Sequence, residues 1–323
     1  MHLSIIVPCF NSAASIGPLL ADISAQLDDQ CELILINDGS TDDTSARIAR
    51  FIAAYAGPGR IVLKDTANAG AAKARECGLS LATGTFVYFC DSDDLFQSGF
   101  IATFNGYLQR FPALDVFFFS SDIAVETEAG ELRKVSAKVC YEQPRSFSPG
   151  AGLLSYNLAA GMYTAAVWTF IFRRALARQT GAAFTHRSAH EDHLFTLKII
   201  LGAGLIVAAP ELLYIQKTRQ GSLTNSRKSV SYLTDRIEAY YEARRCLASA
   251  GFADRAAYDR WSFDSVLQIL RGSPELWQGL LRSSTGRRYL LQHAAALAEL
   301  LARKALRRLG RALGWRREYR ERA

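Results

Sequence analysis

Within residues 3–90 one pattern recurs: a short aliphatic run, a polar loop, then apolar residues at helical spacing. Leu3 to Val7, closed by Pro8, is the first run, and Ile16, Leu19, Leu20, Ile23 and Leu27 follow at the period of a helix face. Glu32 to Asn37 is the second, ahead of a helix with Ile48, Phe51, Ile52 and Tyr55 on one side. Ile61 to Lys64 precedes a third helix over 71–82, and Phe86 to Cys90 is a fourth strand. Runs that are apolar throughout belong to strands covered on both faces. Strands joined through helices by short loops pair in parallel, so the chain is constrained to a doubly wound, mostly parallel α/β sheet. Ligands of such sheets lie outside the carboxyl ends of the strands. That rule gathers Pro8 to Asn11, Asp38, Asp65 to Gly70 and Asp91 to Asp94 around one crevice.

Composition narrows the chemistry. With 323 residues, 49% of them apolar, a packed core is within reach. Residues 301–323 hold nine Lys or Arg against two Glu, which accounts for the whole net charge of +7 and leaves the rest neutral. A basic tail on a neutral body argues against a nucleic-acid surface. Six scattered cysteines without a C-x-x-C pair read as reduced thiols. The amino terminus runs straight into a strand without the basic and long apolar regions of a signal peptide, and no stretch is long enough to span a bilayer. The expectation is a cytoplasmic protein, placed at the cytoplasmic face of the inner membrane if the tail binds there. No G-x-G-x-x-G follows the first strand and no P-loop occurs, so dinucleotide and P-loop readings lose their support.

The cluster Asp91-Ser92-Asp93-Asp94 emerges at the ligand edge of the sheet. Carboxylates this close repel one another, a cost that a hard divalent cation with attached phosphates removes. The alternative is a solvated turn or helix cap. Asp38, at the end of the second run, can accept a hydrogen bond from a base or ribose, or belong to the turn Asn37-Asp38-Gly39-Ser40.

Four segments in order, Ser4-Ile-Ile-Val-Pro-Cys-Phe-Asn11, Asn37-Asp-Gly-Ser-Thr-Asp42, Asn68-Ala-Gly-Ala-Ala-Lys-Ala-Arg75 and Gly84-Thr-Phe-Val-Tyr-Phe-Cys-Asp-Ser-Asp-Asp94, resemble the signature of family 2 inverting glycosyltransferases with the GT-A fold. The resemblance covers residues 3 to about 225. It implies that Pro8, Phe10, Asn11 and Asp38 line the nucleoside site, with Asp38 on a uracil-like base. It places Asn68, Gly70 and Lys73 in the donor pocket, Asp91 and Ser92 on its ribose side, and Asp93 on a Mn²⁺ or Mg²⁺ that bridges the diphosphate. His190-Glu191-Asp192-His193 is similar to the family's Glu-Asp motif, which makes Asp192 the general base and puts Glu191 beside it. An alcohol attacking an anomeric carbon must lose its proton, which is why such a base is needed. Lys217, Arg219 and Ser222 resemble the family's loop beside the departing diphosphate, or form an ordinary basic loop. Trp168 either borders the acceptor or sits in the core, and His186, His190 and His193 match no zinc spacing. The Gln-x-x-Arg-Trp motif of processive membrane synthases is absent.

The expected organisation is a GT-A domain over 1–225, its donor half at 1–120 and its acceptor half at 121–225, then a helical region over 226–323. The polar stretch up to Pro149 reads as a hairpin or a mobile loop, and the segment 121–165 has no further assigned structure. Arg303 to Leu313, if helical, sets leucines against basic residues, suited either to an anionic membrane or to packing on the domain. The implied reaction is sugar transfer from a UDP-sugar to a saccharide or lipid-linked acceptor in making a surface polysaccharide or glycolipid. Nucleotidyl transfer and a silent nucleotide-sugar-binding scaffold are the rivals.

Overall fold

The structure, a computed structural model, describes residues 2–126, 132–187, 189–218, 228–271 and 273–312, without the side chains of 303, 304 and 306–312. Strands β1 (Leu3–Cys9), β2 (Cys31–Asp38), β3 (Arg60–Thr66) and β4 (Phe86–Phe89) lie in the order β3-β2-β1-β4, all parallel. They are joined by helices α1 (Ile16–Ser24), α2 (Thr44–Ala54) and α3 (Ala71–Leu81). The two-residue period of a strand divides its side chains between the faces. Leu3, Ile5, Val7, Leu33 and Leu35 pack with Leu19, Leu20 and Ile23 of α1, whereas Ile6, Ile34 and Ile36 pack with Ala72 and Ala74 of α3. Each such fully buried Ile or Leu contributes about 1.5–3 kcal/mol. Because β4 returns to the other side of β1, strand order reverses between β1 and β4, which opens a crevice at their carboxyl ends.

Beyond β4 the sheet is mixed. It continues through β5 (Leu95–Phe96), α4 (Phe100–Arg110), β6 (Val116–Glu126), β7 (Leu132–Val139), β8 (Arg145–Phe147), α5 (Ala151–Ala159), β9 (Phe170–Arg173), α6 (Arg174–Thr180), α7 (His193–Gly202) and β10 (Ile206–Thr218). Strand β9 runs antiparallel to both β4 and β6, and β10 is parallel to β6. The sequence pattern gives no strand at β9, because three apolar residues ahead of Arg173 carry no period that separates strand from helix. The unassigned segment 121–165 supplies the end of β6, its antiparallel partner β7, the edge strand β8 and α5.

Helices α8 (Val230–Ser249), α9 (Arg255–Leu270), α10 (Pro274–Arg282), α11 (Ser284–Gln292) and α12 (Ala294–Ala312) follow. Ser229 starts α8 by accepting the Tyr232 N–H. These helices do not form a core of their own: Leu233, Ile237, Tyr240, Tyr258 and Phe263 join one cluster with Phe195 and Ile199 of α7 and Phe170 and Phe172 of β9. A buried polar link fixes α7 to them. Arg236 Nη1 stands 3.1 Å from His193 Nδ1, and Tyr258 Oη is 2.6 Å from His193 Nε2. Arginine can only donate, so Nδ1 accepts and the proton of a neutral imidazole resides on Nε2. Among the described residues no helix is long and apolar enough to cross a membrane.

Candidate functional site

Two adjoining cavities occupy the crevice. One, of about 370 Å³, is lined by Pro8, Phe10, Asn11, Asp38, Arg75, Asp91, Ser92, Asp93 and Glu191. The other, about 770 Å³, is lined by Asn68, Gly70, His186, Arg187, His190, Glu191, Asp192, Lys228 and Tyr232. Glu191 stands on the wall of both.

The first cavity is shaped by backbone that short polar side chains hold in place. Asn11 has φ +49°, which asparagine tolerates. Its Oδ1 accepts from the Thr41 N–H at 2.9 Å, and its own N–H donates to Ser40 Oγ at 3.0 Å. This leaves Phe10, at the tip of β1, 50% exposed. Asp38 is buried, and its two carboxylate oxygens accept the backbone N–H groups of Ala69 (2.9 Å) and Gly70 (2.8 Å). It thereby shapes the loop before α3, and each oxygen retains a second lone pair. That loop approaches so closely that a Cβ on Gly39 would lie 2.6 Å from the Asn68 nitrogen.

The four acidic-loop positions do different work. Asp94 is buried: Tyr214 Oη donates to one oxygen at 2.7 Å and the Lys217 N–H to the other at 2.8 Å. Burial, then the charges of Asp91 and Asp93, push its carboxyl well above the usual range. Tyr214 Oη also accepts the Asp91 N–H at 3.2 Å, and its ring stacks on Trp168 at 4.8 Å. Ser92 Oγ is 2.6 Å from Ser12 Oγ. Asp91 and Asp93 line the cavity.

Arg75, quoted within the third segment but given no role there, joins the two cavities. Its guanidinium is buried and donates from Nη2 to Asp91 Oδ1 at 2.9 Å and from Nη1 to Glu191 Oε1 at 3.0 Å. The flanking carboxylates outweigh burial and hold it cationic. Sequence separations of 16 and 116 residues hide both partners from any local pattern.

Asp192 occupies the N-cap position of α7, yet its side chain makes no capping hydrogen bond. Burial first, then the neighbouring Glu191, push its carboxyl up to about 7, while Arg75 opposes the shift. The acid preceding a helix is normally favoured in its charged form; here desolvation wins. The turn that presents it is strained: His190 has φ +61°, and its Nε2 is buried without a hydrogen-bond partner. Burial pushes that imidazole down to about 3, so it is neutral at physiological pH. Left-handed non-glycine residues thus stand on both sides of the crevice, at Asn11 and His190, where such strain concentrates at functional sites.

The crevice therefore brings together Pro8, Phe10, Asn11, Asp38, Asn68, Gly70, Asp91, Ser92, Asp93, Glu191 and Asp192. Lys73 lines neither cavity; it points outward in an ion pair with Glu76 at 2.8 Å. Lys217 meets the acidic loop through its backbone, while Arg219 and Ser222 lie outside the described residues. Trp168 is in the core. The basic side chains of the tail also fall outside the described residues, though the backbone of α12 is helical to Ala312.

Among the described residues no three His, Cys, Asp or Glu side chains converge as a metal-binding group. A Mg²⁺ or Mn²⁺ that uses one or two carboxylates and completes its shell with substrate phosphates and water needs no such cluster. The hard oxygens of Asp91 and Asp93 on the cavity wall fit that kind of site.

The family model for Glycosyl transferase family 2 matches residues 4–177. The uncharacterized glycosyltransferase YibD of Escherichia coli K12 is 29% identical over 62% of this chain and 57% of its own length. Poly(ribitol-phosphate) beta-N-acetylglucosaminyltransferase TarS of Staphylococcus aureus Mu50 is 26% identical over 77% of this chain and 40% of its own. The chain thus spans less than two thirds of the length of either relative. A solved structure of S. aureus TarS in complex with UDP-GlcNAc superposes with a TM-score of 0.68 at 22% identity, covering 90% of this chain and 80% of that one. The mannosyltransferase PcManGT of Pyrobaculum calidifontis, solved with GDP-Man and Mn²⁺, reaches 0.54 at 19% identity, covering 92% and 80%. These likenesses establish the GT-A fold with a helical carboxyl-terminal part.

Proposed function

This chain belongs to glycosyl transferase family 2, and on that premise we propose that it transfers a sugar, with inversion, from a UDP-sugar to a saccharide or lipid-linked acceptor in the synthesis of a cell-surface polysaccharide. The nucleoside occupies the smaller cavity, with Phe10 offering its exposed face to the base and Asp38 and Asn11 on the polar edge. Asp93 would hold Mn²⁺ or Mg²⁺ there, with Asp91 beside it on the ribose side; a divalent ion so bound would balance the charge of the leaving diphosphate. The acceptor occupies the larger cavity, where Asp192 takes the proton of the attacking hydroxyl. Glu191 and Arg75 set the orientation and proton affinity of that base. Six free thiols suit a reducing, cytoplasmic compartment. Peripheral membrane contact through residues 301–323 would bring a lipid-linked acceptor within reach.

The observation that carries this reading is Asp192: a partly buried carboxyl at a helix start, making no capping hydrogen bond and raised towards neutral pH, on the wall of the larger cavity beside Glu191, which borders both. A general base works best with a proton affinity near the operating pH. The test is Mn²⁺-dependent release of UDP from a panel of UDP-sugars with membrane-derived acceptor. Release should appear with the native chain, vanish with EDTA and fall with D192N; pyrophosphate release from a nucleoside triphosphate, or UDP binding with no turnover on any donor, refutes the reading.

A further inference from the structure

Where the loop before α7 meets the carboxyl-terminal helices there is a further cavity, of about 290 Å³. It is lined by Arg187 of that loop, by Glu238, Tyr241, Glu242 and Arg245 of α8, and by Thr285 and Arg288 of α11. The α8 residues follow the i, i+3, i+4, i+7 spacing of a single helix face. Arg187 also lines the larger cavity of the crevice, so the two spaces share a wall.

The lining carries more positive charge than it pairs. Arg187 Nη2 donates to Glu242 Oε1, and its Nε stands 3.8 Å from Glu238 Oε2. Both carboxylates thus serve Arg187. Arg245 and Arg288 are exposed on the cavity wall, and among the described residues neither has a carboxylate partner. Arg288 instead lies over the Tyr241 ring at 4.9 Å, a contact that holds its guanidinium at the wall. Behind these two, Arg187 Nε and Nη1, Tyr241 Oη and Glu242 Oε2 are buried without a hydrogen-bond partner. Burial without a partner costs free energy, and such atoms gathered at one cavity mark a place for a bound group. Thr285 stands in the first turn of α11, where the positive end of the helix favours an anion. Guanidinium groups match the geometry of phosphate oxygens.

We propose that this cavity binds a phosphate ester of the acceptor, on a unit other than the one that supplies the attacking hydroxyl, with Arg245 and Arg288 as the donors that reach it. This rests on the assignment of the larger cavity to the acceptor and deepens that reading by naming the acceptor class, a phosphorylated chain that crosses Arg187.

The test uses the full chain loaded with UDP and Mn²⁺, so that the donor's own phosphate site is filled, titrated calorimetrically with sn-glycerol 3-phosphate, glycerol and inorganic phosphate. The native chain should bind the ester about tenfold or more tightly than glycerol, and R245Q/R288Q should lose about tenfold or more of that affinity with its charge-assisted hydrogen bonds. R47Q/R50Q, which removes the same charge from exposed positions of α2, should stay within about twofold of the native chain. With membrane-derived acceptor, R245Q/R288Q should raise the acceptor KM about tenfold and keep kcat within about twofold. R288Q alone takes the place of the pair should the latter lose its native circular dichroism. Glycerol binding as tightly as its phosphate, or an equal loss in R245Q/R288Q and R47Q/R50Q, overturns the proposal. So does inorganic phosphate binding more tightly than the ester with an unchanged acceptor KM, which assigns the cavity to the free ion. Absence of UDP release from every donor by the native chain removes the underlying reading, while the titration judges the cavity by itself.

Discussion

The two acidic loops of the crevice, one after β4 and one before α7, start from the same problem of crowded carboxylates and solve it differently. After β4, Asp94 is fixed from two sides by Tyr214 and the Lys217 N–H, and Asp91 is held by Arg75. Before α7, Glu191 takes the other arm of Arg75, and Asp192 is left without a cap. Two acids of the first loop are therefore held by donors, and one of the second. The difference teaches that position beside a helix or strand end does not fix an acid's role; the count of donors pointing at it does.

Breaking the uncapped member should have the largest effect. D192N is expected to lower kcat/KM by about 10²–10⁴-fold, the range of general acid–base catalysis, while UDP affinity by calorimetry stays within about twofold. A comparable loss from D94N with an unchanged melting temperature would erase the contrast between the loops. Arg75 is the next test, because it ties the loops together. R75Q should lower kcat and raise the donor KM, each by about tenfold, the equivalent of one unit of proton affinity in each interaction. A change in only one parameter means that the two arms act independently.

The pH profile sharpens the contrast further. Asp192 must be ionised to act, so kcat/KM of the native chain should rise with pH through a midpoint near 7. Removing Arg75 takes away the cation that lowers this value, so the midpoint in R75Q should move to higher pH. The smallest effect is on stability. A carboxyl raised in the folded state binds its proton more tightly there than in the unfolded chain, so its contribution falls as pH climbs from the unfolded value towards about 7. D192N should therefore melt about 2–4 °C above the native chain at pH 8, with the gap closing below pH 4, by scanning calorimetry.

The first half of the fold was legible because β1, β2 and β4 are buried on both faces and read as unbroken apolar runs. The strand-end rule then located the crevice. What escaped depended on contacts between distant segments. Arg75 sits in a helix with Asp91 and Glu191 far along the chain. Tyr214 reads as one more aromatic residue in a strand, and only the sheet brings its hydroxyl to Asp94. His193 was noted for its spacing, but its partners Arg236 and Tyr258 belong to helices that carried no motif.

That last link changes how the carboxyl-terminal helices should be regarded. α7 begins one residue after Asp192, and its first side chain is clamped between α8 and α9. The register of those helices is thus transmitted to Asp192, the proposed proton acceptor, even though the clamp itself does not line either cavity. Exchanging this portion between relatives would carry reaction geometry along with it, and trimming it to obtain a smaller catalyst would leave the nucleotide side assembled around a base that has lost its footing.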